Sequence, residues 1–269
     1  MAKITDHDRH AYLEKVKGYT TAASALLKTE KNMLIEIRKN TPDSPMKKLE
    51  LADEMLNLAS NYIAVNGVSN IVLRNKNEDA LNDARKSLYK SVIYLEELVS
   101  NYVDASFSEY EEKLAKIEEF DPNQRYLLIR KMGLAIDLLE NAYGDNSKWR
   151  WTFVEMEGRF AAVAKNIMNL RTAVTNRNPE SPYYESTVYH LRLIKKLLAQ
   201  SADRYREKYE LSTGQMLDFK TGISFLSALK RVHIVLAEND EAEAIKKKLS
   251  IWTAKLETDL KKQEERKKG

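Results

Sequence analysis

Apolar residues recur three and four apart along nearly the whole chain, the spacing of helices that pack along one side. The first stripe is Tyr12, Val16, Tyr19, Ala23, Leu26, Met33 and Ile37, with Glu30 as its single charged member. It predicts a helix that starts at a Thr5 or Asp6 cap and runs to about Asn40. Thr41-Pro42-Asp43-Ser44-Pro45 turns the chain, and Leu49, Ala52, Leu56, Ala59 and Ile63 carry a second helix. Asn66-Gly67 is expected to stop that helix in a left-handed cap, with a short helical piece at 69–73.

The longest pattern follows. No Gly or Pro lies between Gly67 and Pro122. Leu81, Ala84, Leu88, Val92, Leu95, Val99 and Tyr102 form a stripe that resumes, after one slipped step, as Val103, Phe107, Tyr110, Leu114 and Ile117. A continuous helix over 77–120 would be a coiled-coil-like rod roughly 65 Å long at 1.5 Å per residue. The slip coincides with Asp104-Ala105-Ser106, residues able to cap a new helix, and marks the weak point of the rod.

Asp121-Pro122 restarts the chain with an acidic cap. The helix to Tyr143 is apolar on more than one face, and Gly144-Asp145-Asn146-Ser147 turns it. A helix from Lys148 to about Asn176 carries Trp149, Trp151, Phe153, Phe160, Val163 and Ile167, with Gly158, Ala161, Ala162 and Ala164 small enough for a neighbouring helix to come close. Further helices are expected from the Asn178-Pro179-Glu180-Ser181-Pro182 turn to about Glu210, from a Ser212 or Thr213 cap, and from Asn239-Asp240 to a charged, fraying tail after Lys261. The pattern predicts an all-α protein: an extended helical arm over 1–121 and a helical-hairpin, solenoid- or bundle-like body over 122–269. The likeness to helical-repeat proteins is one of architecture alone.

Composition narrows the function classes. The 269 residues hold 43% hydrophobic and 31% charged side chains, enough for a packed core. With no cysteine, thiolate metal sites, disulfides and Cys nucleophiles are excluded. Lys and Arg number 44 against 40 Asp and Glu, a balance that makes nucleic acid an unfavoured partner. The charge is segregated, however: 76–121 carries twelve acids and six bases, whereas 122–177 carries nine bases and five acids. An acidic rod and a basic body could neutralise each other within one chain or between copies. No apolar run reaches the ~20 residues of a membrane span. Residues 1–6 lack the apolar core of a signal peptide, which fits the cytoplasm as the sequence stands, or the periplasm if this is a mature N-terminus.

No catalytic constellation emerges, and no cofactor or metal is expected. His7, His10 and Glu14 share a helical face, yet charged residues in a first turn are ordinary end chemistry. His190 and His233 lie in apolar helical contexts typical of packed imidazoles, and Glu155 and Glu157 point in different directions. Tyr183, Tyr184, Tyr189, Tyr205 and Tyr209 interleave with Arg192, Lys195, Lys196, Arg204, Arg206 and Lys208 in the manner of a nucleic-acid surface, but Glu185, Asp203, Glu207 and Glu210 dilute the charge. For protein contacts the outward rod positions Tyr89, Tyr94, Glu96, Glu97 and Glu109 stand out, with Trp149 and Trp151. The leading expectation is a non-enzymatic structural or scaffolding subunit of an assembly such as a filament or coat, with protein partners or self-association. The alternative is a soluble helical-repeat adaptor that binds a peptide or protein. An enzyme without a recognisable motif, or a nucleic-acid binder, ranks below both.

Overall fold

A computed structural model describes residues 4–144 and 147–268. It is all-α, with no strand among the described residues. Among the described residues ten α-helices follow in order: α1 Asp6–Ile37, α2 Ser44–Val72, α3 Glu78–Leu98, α4 Phe107–Ala115, α5 Pro122–Tyr143, α6 Arg150–Asn166, α7 Leu170–Asn176, α8 Tyr184–Lys208, α9 Met216–Val235 and α10 Asn239–Lys268. A π turn, Tyr209–Thr213, joins α8 to α9. Two units result. The first holds the chain up to Leu98, Ala115–Phe120 and Leu127–Arg150; the second holds Val99–Leu114, Asp121–Tyr126 and everything from Trp151 on.

In the first unit α1, α2 and α3 form an up–down–up bundle. Glu36 meets Lys47, Ala23 packs on Leu51, Met55 and Leu58, and Val16 packs on Val65, so α1 and α2 run antiparallel. Lys48 meets Glu97 and the Ser91 hydroxyl donates to the Ala52 carbonyl, so α2 and α3 do too. The heptad of α1 delivers Val16, Ala23 and Glu30 to the buried seam, seven residues apart. Thr5 caps α1 through a reciprocal box with Asp8.

Several sequence expectations change here. Asn66-Gly67 does not end α2, which continues to Val72. Val65 there is buried against Val16 and Ala80, and the Asn66 side chain turns inward to accept the Asn77 amide at 2.9 Å. The turn to α3 falls instead at Arg74, whose φ is +52°. The rod over 77–120 is not continuous: α3 has 21 residues, about 32 Å of helix, and residues 99–106 are irregular before α4 begins. Two things break it. The amide and hydroxyl of Ser106 both donate to the Glu109 carboxylate, at 2.7 and 2.8 Å, which caps a new helix. The carbonyls freed upstream then find donors in α6: Asn166 Nδ2 reaches Ser100 and Tyr102, and Lys165 Nζ reaches Ala105. The helix expected from Lys148 to Asn176 also divides, because the Asn169 side chain accepts the amides of Arg171 and Thr172 and starts α7. At the C-terminus α10 runs on to Lys268 where a fraying tail was expected. In the turn after Tyr143, Asp145 and Asn146 lie outside the described residues, as does Gly269.

The second unit is built around α6, α8, α9 and α10. Gly158 of α6 lets the Tyr205 and Phe225 rings close in: a Cβ there would sit 2.7 Å from a Tyr205 ring carbon. Those rings stack on each other at 5.6 Å, and Tyr209, Phe219 and Trp252 continue the aromatic layer.

Candidate functional site

A cleft of about 300 Å³ opens in the second unit, lined by Arg177, Tyr184, Val188, Leu191, Arg192, Lys195, Leu236 and Glu238. Its wall is the first half of α8, where Tyr184, Val188, Leu191, Arg192 and Lys195 recur at three- and four-residue steps and so share one face. Arg177 is the residue that ends α7, and its Nη1 donates to the Leu236 carbonyl at 3.0 Å. Leu236 and Glu238 come from the turn after α9. There Ala237 takes a left-handed backbone, φ +58°, and the Glu238 amide donates back to the His233 carbonyl at 2.9 Å. A non-glycine residue in that conformation costs roughly 1 kcal/mol. The turn therefore holds Glu238 in place at some expense.

Two cations and an imidazole surround one carboxylate here. Lys195 Nζ donates to both Glu238 oxygens, at 2.9 and 3.0 Å. His233 Nδ1–H donates to Glu238 Oε2 at 2.7 Å, and Arg177 Nη2 stands 4.0 Å from Oε1. Burial pushes the Glu238 carboxyl up, but the hydrogen bonds from Lys195 and His233 outweigh it and hold the group below the usual carboxylate range. Arg192 is exposed and lies over the Tyr189 ring at 5.8 Å. Val188, Leu191 and Leu236 supply an apolar floor. The chemistry on offer is charge-assisted hydrogen bonding to an anion that carries an apolar body.

Two buried polar groups of the second unit, His190 and Lys165, are engaged in packing. His190 is buried; its Nε2–H donates to the Ala164 carbonyl at 2.9 Å, and desolvation pulls its pKa down to about 4. It lies beside a small cavity of about 30 Å³ that Arg125 also lines. Lys165 is buried too. Desolvation brings its pKa to about 8 while its ammonium holds the Ala105 carbonyl and lies near the Tyr110 ring. Asp104 ties the same segment to Arg231 of α9.

The interleaved tyrosines and bases do not form a single surface. Tyr205 and Tyr209 are stacked into the aromatic layer; Arg204 pairs with Glu157, Arg206 with Glu210 and Lys208 with Asp218. Tyr184, Arg192 and Lys195 remain as cleft residues. Arg177, Leu236 and Glu238 were not singled out from the sequence, since the contact between Glu238 and Lys195 spans 43 positions and leaves no periodic trace.

The sequence-selected contact residues are dispersed. Tyr94 of α3 is half-buried, and its hydroxyl donates to Glu30 at 2.8 Å, beside Lys90. Tyr89 and Glu96 are also half-buried on α3, and Glu97 is exposed and paired with Lys48. Glu109 caps α4 from the second unit; its hydrogen bonds from Ser106 lower its carboxyl pKa. Trp149 and Trp151 are both half-buried and fall in different units, Trp149 beneath the Arg85 guanidinium at 4.2 Å. His10 and Glu14 stand 3.9 Å apart on an exposed face, and no group of three or more metal-ligating side chains occurs among the described residues. No helix there is long and apolar enough to cross a membrane.

No curated protein and no solved structure matches the chain. A family model does, over residues 8–260: the chain belongs to the TP0443 family.

Proposed function

We propose that this TP0443-family chain is a non-enzymatic binding protein, an adaptor whose second unit seats an acidic segment of a protein partner. The observation that carries the reading is the cleft, in which Arg177, Arg192 and Lys195 outnumber Glu238 above an apolar floor. A space of this size takes one or two side chains, and a carboxylate beside an apolar residue suits both parts of the lining. Glu238 is held ionised by its partners, which fits a group that fixes charge better than one that relays protons. A run of phosphates would need cations in series along α8, and there Arg204, Arg206 and Lys208 are already paired.

Fluorescence anisotropy tests this with a labelled peptide of Glu and Gly around one Phe, beside a single-stranded oligonucleotide of equal length. The peptide is expected to bind in a salt-sensitive way, and Arg192→Glu to weaken it by about tenfold. Tighter binding of the oligonucleotide, or indifference to Arg192→Glu, would overturn the reading.

A structural subunit that associates through its helices is the second reading. It is favoured by Leu127, Leu134 and Leu138 of α5, spaced seven and four apart and 58%, 60% and 47% exposed. Sedimentation velocity across a hundredfold concentration range decides it: self-association supports a subunit, and a constant monomer removes that reading.

A further inference from the structure

We propose that Glu238 is a built-in competitor for the cleft, a carboxylate of the chain's own that screens the cations an acidic ligand must reach. This rests on the adaptor reading and adds how its affinity is set. Glu238 already shows what the cations recognise. Its two oxygens take both Lys195 contacts, one His233 contact and the flank of Arg177, the contacts expected for a carboxylate from outside. Its delivery is specific. Ala237 adopts a left-handed backbone, and the bond from the Glu238 amide to the His233 carbonyl folds the side chain back against α9. Without the carboxylate, the His233 Nδ1–H would lose its contact with Glu238 and Lys195 would turn to the open space.

Glu238 nevertheless remains 21% exposed, so an incoming carboxylate can meet the same cations without unfolding the turn. Arg192 makes no ion pair with Glu238 in this arrangement and offers the first contact; Lys195 is then shared or exchanged. The ligand class that follows is a Glu- or Asp-bearing peptide segment, bound weakly while Glu238 holds Lys195 and more tightly once that charge is gone.

The test is anisotropy of the same labelled Glu/Gly/Phe peptide on the full chain, comparing wild type with Glu238→Gln, each checked for folding by circular dichroism. The substitution keeps the shape and one acceptor for His233 and removes the charge, so affinity should rise about fivefold, with a steeper dependence on salt. Binding by Glu238→Gln alone also supports the proposal. Equal affinity overturns it and leaves the adaptor standing. Weaker binding overturns it as well, because Glu238 would then organise the cations instead of screening them. No binding by either protein removes both readings. If Glu238→Gln does not fold, Glu238→Asp takes its place. Its carboxylate is drawn back by one methylene and should tighten binding by a smaller factor; no change would count against the proposal.

Discussion

Each unit places a glutamate against a lysine, and the two glutamates differ in how far water reaches them. In the first unit Glu30 accepts from Lys90 Nζ and the Tyr94 hydroxyl, both at 2.8 Å, with its side chain only 6% exposed. The pair closes the α1–α3 seam, and the environment pushes the Tyr94 phenol up, chiefly by burial and then by its bond to Glu30. In the second unit Glu238 accepts from Lys195 and His233 at similar distances but stands at the mouth of a cleft, 21% exposed. The glutamate is buried in one unit and open to water in the other, whereas the lysines run the opposite way, Lys90 being 43% exposed and Lys195 27%. Partner number and distance are alike in the two; solvent access to the glutamate and the cations left over are what differ.

The largest test of that contrast is the same truncation at both places. Glu30→Ala leaves the Tyr94 hydroxyl facing a buried gap, while Lys90, 43% exposed, can turn to water, and should cost about 2–3 kcal/mol of stability. Glu238→Ala, where water can replace the carboxylate, should cost about 1 kcal/mol. Urea unfolding monitored by circular dichroism measures both, and equal losses would erase the distinction.

Acid sharpens it next, through a group sealed within the second unit. His190 is neutral in the fold because burial lowers its pKa to about 4, against 6.5 for a free imidazole. Between those values the unfolded chain binds the proton and the folded chain does not, so stability falls as the pH drops from 6.5 to 4. The contribution is about 2–3 kcal/mol over the full window. His190→Gln, whose amide can still donate to the Ala164 carbonyl, should flatten that part of the pH–stability curve. Gly158→Ala comes last. Its new methyl would meet the Tyr205 ring at 2.7 Å, so α6 or the ring must shift, and a loss of about 1–2 kcal/mol should appear as a lower melting temperature. Peptide binding should survive that change, since no lining residue of the cleft lies on α6.

How far these features were legible varies with the range of the interaction behind them. Glu30 stood out as the charge in an apolar heptad, and its burial follows from the register of Val16 and Ala23; its partners sixty or more residues away did not. Gly158 and its neighbouring alanines signalled a close helix approach, and Tyr205 and Phe225 supply it. The slipped step at Asp104–Ser106 was visible, whereas the depth of the break depended on Asn166 and Lys165 arriving from α6. Asn66-Gly67 misled for a related reason. A local stop signal worth about 1 kcal/mol lies beside Val65, whose burial against α1 and α3 favours continuing the helix.

By itself, the sequence determined the helical class, most helix starts and the seam of α1. Those follow from side-chain periodicity, capping and proline, which act within a few residues. Only the tertiary structure decided where the long helix breaks, which charges are sealed and which stay open, and that Arg177, Lys195 and Glu238 meet. The physical reason is that a cleft is made by residues whose separation along the chain is unrelated to any helical period. Its electrostatics depend on the few ångströms of solvent left between them.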